Sequence, residues 1–388
     1  MGYLEIALRL GRLAPDLVES YTGPSELAAL VEAEDSPLPA ERLREQVLEL
    51  RVALVSEALE RDRRAWLSAQ LAALDTALLQ LAHGGFDYRQ LVERCYGVRS
   101  ELVPESRFAA AHARLAEALP GRGDVRERYR RWANTQLVAP ERLLDGLHTL
   151  ADELRQRTRA LIELPHEEEV TFEIVREKPW SGFADYLGDF RTLIQINEDR
   201  PITAGRLLEL VSHEAYPGHH TEHVCKDAYL VHELRRHEVA VYVYPTPQAL
   251  VAEGVAELAL EIVLGERADE LAAEWLGAVG IDYDPKIAAV HREAAMMMLP
   301  LRTNIALLLD DGGSSDEVWS YARRWMLEED RYVQKALDSI LENRWRPYES
   351  CYPEGYALCR RFAGGDPSRF TRLLREQLTT SELKARPE

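Results

Sequence analysis

Between positions 213 and 220 the chain reads His213-Glu214-Ala215-Tyr216-Pro217-Gly218-His219-His220, three imidazoles and a carboxylate within eight residues. Imidazole nitrogen and carboxylate oxygen suit a divalent transition ion. His-Glu followed shortly by His is also how helical zinc hydrolases begin: in His-Glu-x-x-His the histidines share one helix face and the Glu is the general base. Here the second His comes two or three residues late, at 219 or 220. On an unbroken helix His219 would point about 240° round from His213, and His220 would lie roughly 10 Å further along the axis. Neither could share an ion with His213. Pro217 and Gly218 answer that mismatch. The Pro217 ring would clash with the carbonyl of His213 in a continuous helix and donates no hydrogen bond, while Gly218 tolerates unusual backbone angles. A bulge or short loop at 217–218 is therefore expected to absorb the extra residues and return His219, or alternatively His220, to the ligand position. Interrupted helical turns of this kind recur at functional sites. The plainer reading is a helix capped at Gly218 and a His-rich loop, but it must place three of the chain's 11 histidines in eight positions by chance.

A catalytic zinc site needs a third protein ligand and one open position. Downstream, Ala249 to Leu264 is apolar almost all round, with charges only at Glu253, Glu257 and Glu261. A helix this apolar is buried on most of its surface, so the glutamate stripe faces either solvent or a polar cleft. Glu257 and Glu261 read as solvent-facing. Glu253, beside Gly254 where close approach is possible, is the candidate ligand.

These residues resemble a known family. HEAYPGHH, followed some tens of residues later by Ala252-Glu253-Gly254-Val255-Ala256-Glu257, is similar to the bacterial proteins grouped as domain-of-unknown-function family 885, zinc-metallopeptidase-like and distantly related to the gluzincins. The resemblance covers most of the chain and is most specific at 213–220. It implies His213 and His219 as metal ligands, Glu253 as third ligand and Glu214 as base, with His220 as alternative ligand, outer-sphere group or oxyanion donor. It implies one zinc ion per chain. Where such proteins carry Gly-Trp-Ala after the glutamate, this chain has Gly254-Val255-Ala256, a change in packing that leaves the ligand set intact. It also points to Tyr352, in the run Tyr348 to Tyr356 that holds three tyrosines around a turn, as hydrogen-bond donor to the oxyanion of an attacked amide. If the activity were a carboxypeptidase, Arg302 or Arg361 would bind the terminal carboxylate. The implied substrates are small peptides. Alternatives are a metal-dependent hydrolase of a non-peptide amide or ester, and a helical binding protein that has lost its metal.

Other clusters carry less chemistry. His232-Glu233-Leu234-Arg235-Arg236-His237 sets its histidines about 140° apart on a helix with no Pro or Gly to reset the register, and reads as a solvated face. His223 also reads as solvated, and His83, His112, His148, His166 and His291 as structural. Met296-Met297-Met298 suits core filling.

The elements that must position the site are mostly helical. Residues 40–83 keep an apolar 3–4 spacing that stops at Gly84-Gly85, Pro140 suits the first turn of a helix running to about 163, and helix resumes from 203. Asp311-Gly312-Gly313-Ser314-Ser315 reads as a loop ending in a helix N-cap, with Glu317 in the first turn. Glu167-Glu168-Glu169 leads into two β-branched runs, 170–175 and 192–197, expected to pair as a hairpin across Pro179-Trp180-Ser181-Gly182 and, in gluzincin-type proteins, to offer an edge to extended substrate. The predicted fold is mainly α with some β: a helical N-terminal lobe over 1–165 and a metal-binding catalytic lobe over 166–388, or one continuous domain, with a small antiparallel hairpin before the metal helix.

Composition sets the outer limits. A length of 388 residues supports a substantial core. A net charge of −19 argues against nucleic acid as partner. Cys95, Cys225, Cys351 and Cys359 lack paired spacing, the first twenty residues lack an apolar leader core, and no apolar run reaches membrane-span length. A cytoplasmic protein without membrane partners is expected; oligomeric state leaves no signal.

Overall fold

The structure, a computed structural model, describes residues 1–178, 180–342 and 345–385. It is mainly helical, with two small sheets. The periodic stretch 40–83 forms two antiparallel helices, Ala40–Ser56 and Arg61–His83, where one pattern suggested continuity. They part because Glu57 and Glu60 are extended and Arg64 reaches back to the carbonyls of Leu54, Val55 and Glu57, at 3.0, 2.7 and 2.6 Å. Those carbonyls would otherwise end the first helix unpaired. The second helix stops where expected, at Gly84 (φ 66°). A single 3₁₀ turn begins at Pro140 and the helix proper runs Leu143–Leu161. Ser314 and Glu317 form a reciprocal capping box.

The segment before the helix that carries His213 is a mixed three-stranded sheet. Its strands are β2 (Glu169–Val175), β3 (Gly182–Gly188) and β4 (Arg191–Asn197), in the order β2-β4-β3. The two runs expected to form a hairpin do pair, Val170 opposite Thr192, but in parallel. The hairpin is instead β3–β4, turning at Asp189 and Phe190, both with positive φ. β3 is poor in strand formers, with Gly, Ala and Asp among its residues, so pairing with β4 places it where local propensity does not. Pro179, part of the expected turn, lies outside the described residues. A second sheet joins β1 (Val18–Tyr21), near the start of the chain, to β5 (Val241–Val243), antiparallel.

The larger of two hydrophobic clusters runs from Tyr3 to Leu383 and draws on both sides of residue 165, including Leu10, Leu71 and Leu147 with Leu207, Leu250 and Phe370; the smaller joins Ala111, Leu115 and Trp132 to Ala288 and Ala294. Among the described residues, no helix is long and apolar enough to cross a membrane.

Candidate metal centre

The helix carrying His213, Ala204–Glu214, is capped by Thr203, whose hydroxyl accepts from Arg206 N. The next helix begins at His219. Between them Ala215 O is satisfied from beyond the break, by Thr221 N at 3.3 Å and Thr221 Oγ1 at 3.2 Å. Gly218 is obligatory. A Cβ there would lie 1.8 Å from His213 O and 2.5 Å from Ser212 O, closer than any side chain can approach. This folded-back turn does what the Pro-Gly insertion suggested. It sets the His213 and His219 rings with centroids 4.7 Å apart.

Glu253 reaches the pair from the Pro247–Leu264 helix. Its Oε2 is 3.4 Å from His213 Nε2 and its Oε1 is 3.7 Å from His219 Nε2. The three donors lie within 4.8 Å of one another, near the roughly 3.3 Å that separates tetrahedral ligands held about 2.0–2.1 Å from one zinc. Glu253 Oε2 is buried and has no hydrogen-bond partner among the described residues, a costly arrangement unless something cationic completes it. Burial, the largest influence, pushes the His213 and His219 pKa values down, and so favours neutral imidazoles. Neutral imidazole is the form that binds metal. The donor set fits a zinc ion.

Glycine also brings the remaining groups in. Gly254 packs against Gly355 of the Cys351–Ala363 helix so closely that a Cβ on Gly254 would meet Gly355 C at 2.3 Å, and one on Gly355 would meet Leu250 O at 2.3 Å. Tyr348, just before the Cys351–Ala363 helix, and Tyr352, within it, lie beside Glu253 and His213 respectively. Tyr348 donates its hydroxyl to Glu253 Oε1. Tyr352 stacks at 26° to the His213 ring, centroids 6.5 Å apart. Burial drives its pKa well above the usual phenol value, so its hydroxyl remains a donor. The three tyrosines expected around a turn are otherwise arranged: Tyr348 is in a short 3₁₀ turn, and Tyr352 and Tyr356 are one turn apart on the helix.

Glu214 lines the same cavity as His213, His219 and Glu253; it is 7% exposed and lies against Gly182 at the start of β3, where a Cβ would come 3.0 Å from its Oε1. Burial, then the nearby Glu253 and Glu19 carboxylates, raise its pKa to about 8. Glu257 does not face solvent. Its Oε1 is 3.7 Å from His213 Nδ1, the side on which metal-bound histidines take a carboxylate partner. Glu261, further out, pairs with Arg360 at 2.9 Å, so the stripe climbs from the centre of the site to its rim.

His220 lies elsewhere, although it adjoins His219. It is fully buried, with Nδ1 2.7 Å from Thr192 Oγ1 and Nε2 3.1 Å from Glu168 Oε2. Both ring nitrogens are engaged, which rules it out as the alternative ligand. His223 is half-buried, not solvated, and stacks on Tyr186 with centroids 4.9 Å apart. His232 is exposed, but Arg236 of the same segment is buried on Asp62 at 2.8 Å. His112, His148 and His291 pack against Trp325, Phe172 and Tyr129.

The centre opens into a cavity of about 1230 Å³. Residues 1–165 contribute Asp16 and Glu19 to its wall, and the remaining lining comes from 180–356. β3 lines one side with Gly182, Phe183 and Ala184. Met296, read as core filler, lines another part. Arg302 lines the cavity too, with its guanidinium already paired to Glu349 at 2.7 and 2.8 Å. Arg361 lines a neighbouring depression instead. Glu19, Tyr244, Tyr348 and β3 are the parts sequence reasoning missed. Only Val241-Tyr242-Val243-Tyr244, a plain alternating run, carried a usable signal.

No protein-family model matches the chain, and no curated protein does. Among solved structures it is similar to a candidate lipoprotein from Colwellia psychrerythraea, at 15% identity over 92% of this chain and 68% of that one, with a TM-score of 0.53. It is also similar to a candidate lipoprotein of unknown function from Shewanella oneidensis, at 13% identity over 89% of this chain and 72% of that one, with a TM-score of 0.50. At such identities the likeness is one of fold.

Proposed function

We propose that this protein is a zinc-dependent peptidase acting on small peptides. The observation that carries the reading is the convergence of His213, His219 and Glu253 within 4.8 Å, beside the carboxylate of Glu214 in a large cavity. The resemblance to family 885 supports the same assignment. His213, His219 and Glu253 would hold a zinc ion, which would supply the Lewis acidity that activates water as a nucleophile at neutral pH. Glu214, in its carboxylate form, would take the proton released by the attacking water and return it to the amine that leaves as the C–N bond breaks. The Tyr352 hydroxyl donates to the oxygen on which negative charge develops. The open edge of β3 offers N–H and C=O groups to an extended backbone, the mode by which sheets take up peptides.

Substrate size follows from the space. The cavity, about 1230 Å³, exceeds the ~300–1,000 Å³ usual for small-molecule sites and suits a short peptide. The paired state of Arg302 gives no support to a carboxypeptidase. The four cysteines, free and buried, support the cytoplasmic setting expected from their spacing.

The test is elemental analysis of the purified chain followed by a peptide-library digest with and without chelator. About one zinc per chain and chelator-sensitive cleavage are expected. A zinc-loaded chain that cleaves esters or non-peptide amides but no peptide would replace the substrate class, and a chain that takes up no zinc would sink the reading.

A further inference from the structure

Glu168 reads in sequence as part of an acidic lead-in to the strands, yet its side chain is completely buried. Its two oxygens have separate duties. Oε1 accepts from Arg155 Nε at 2.7 Å and Arg159 Nη2 at 2.7 Å, both on the Leu143–Leu161 helix. Oε2 accepts from the Tyr216 hydroxyl and from His220 Nε2 at 3.1 Å. Tyr216 and His220 flank Pro217-Gly218. One carboxylate oxygen therefore ties together the two ends of the break that sets His219 relative to His213.

The proton arrangement follows from chemistry. An ionised carboxylate only accepts, so His220 carries its hydrogen on Nε2, and Nδ1 accepts from the Thr192 hydroxyl at 2.7 Å. Thr192 belongs to β4, so the turn is pinned to the sheet as well as to the helix behind it. None of Glu168, Tyr216, His220 and Thr192 lines the cavity. The break itself is thinly supported. Proline has no N–H to donate, and the backbone bridge across it is Thr221 to Ala215.

We propose that Glu168 is the positioning residue of the metal-binding turn: through Tyr216 and His220, its carboxylate holds His219 where it can share an ion with His213 and Glu253. The proposal rests on the metal reading above, and the experiment separates the two. Zinc affinity and the visible spectrum of the cobalt(II) form are measured on the full chain for wild type, Glu168→Gln, Tyr216→Phe, His219→Ala and the Glu168→Gln/His219→Ala double variant.

Wild type is expected to bind one ion. Glu168→Gln is expected to weaken zinc binding by about 10- to 100-fold, the range for groups that orient a ligand from outside, and to change the cobalt bands as His219→Ala does. In the His219→Ala background it is expected to cost nothing further, because its effect passes through that ligand. Tyr216→Phe, which keeps the carboxylate and both arginines, is expected to act in the same direction by a smaller factor.

A Glu168 that is merely structural would lower the melting temperature of the metal-free chain yet leave affinity and spectrum at wild-type values. That result overturns the proposal, as does full additivity with His219→Ala. If Glu168→Gln does not fold, unchanged affinity and spectrum in Tyr216→Phe overturn it. A wild type that binds neither ion defeats the metal reading and this inference with it; a wild type that binds tightly beside an unaffected Glu168→Gln defeats this inference alone.

Discussion

Glu214 carries the sharpest consequence at the level of single residues. It lies next to the ligands without being one of them. Replacing it by Gln keeps the shape and removes the proposed base, so zinc content is expected to stay near one per chain while kcat falls by at least ~10²–10⁴. Turnover at a wild-type rate would remove it from the mechanism. Tyr352→Phe is expected to lower kcat by about 10²–10³ with little change in KM, as for loss of an oxyanion donor, and steady-state kinetics reads that split. Glu168 gives a pH dependence. Burial alone would raise its pKa, but hydrogen bonds from His220, Tyr216, Arg155 and Arg159 outweigh it and hold the pKa down to about 2. Between that value and the ordinary ~4.3, the unfolded chain binds the extra proton. The stabilisation is therefore complete above about pH 4.3 and lost as pH falls through 2. Chemical denaturation between pH 5 and 2 is expected to follow this limb more steeply in wild type than in Glu168→Gln.

Helices and turns add constraints that no single ligand shows. The crossing of the Pro247–Leu264 and Cys351–Ala363 helices depends on two glycines with no room for a methyl group. Gly254→Ala must push the helices apart, at a cost of about 1–3 kcal/mol, and must move Tyr348 away from Glu253. A lowered melting temperature together with weaker zinc binding is expected, whereas an exposed helix change such as Gln334→Ala leaves both unchanged. The turn at 217–218 was legible as an interruption because Pro217 and Gly218 are local signals with local causes. The strand pairing was not. Runs 170–175 and 192–197 announce strands by their β-branched residues, but parallel or antiparallel pairing depends on the third strand, and β3 has too little strand propensity to announce itself.

For the molecule as a whole, charge is the handle. A net charge of −19 over the whole chain attracts cationic peptides over distances that salt screens to about 10 Å at 0.1 M. The kcat/KM for a lysine-bearing peptide is thus expected to fall as ionic strength rises, and that for its glutamate counterpart to hold or rise. An identical response from both peptides would count against steering. Zinc is also expected to stabilise the fold by mass action, about 2.7 kcal/mol at a hundredfold excess over Kd, read as a rise in melting temperature that chelator reverses.

Mainly helical architecture, helix ends at Gly84 and Ser314, the broken turn at 217–218 and the pairing of histidine with glutamate chemistry were all written in residue type and spacing. Each depends on interactions within a few positions along the chain, where sterics and periodicity act directly. Which imidazole faces the gap was decided elsewhere. His219 and His220 are adjacent and chemically identical, and only a buried glutamate fifty residues upstream, two arginines and a threonine on β4 commit His220 to the interior. The same holds for Tyr348 and Glu257, whose roles arise because two helices approach at glycine. Contacts between distant segments depend on how the whole core packs, and the local pattern carries no record of them.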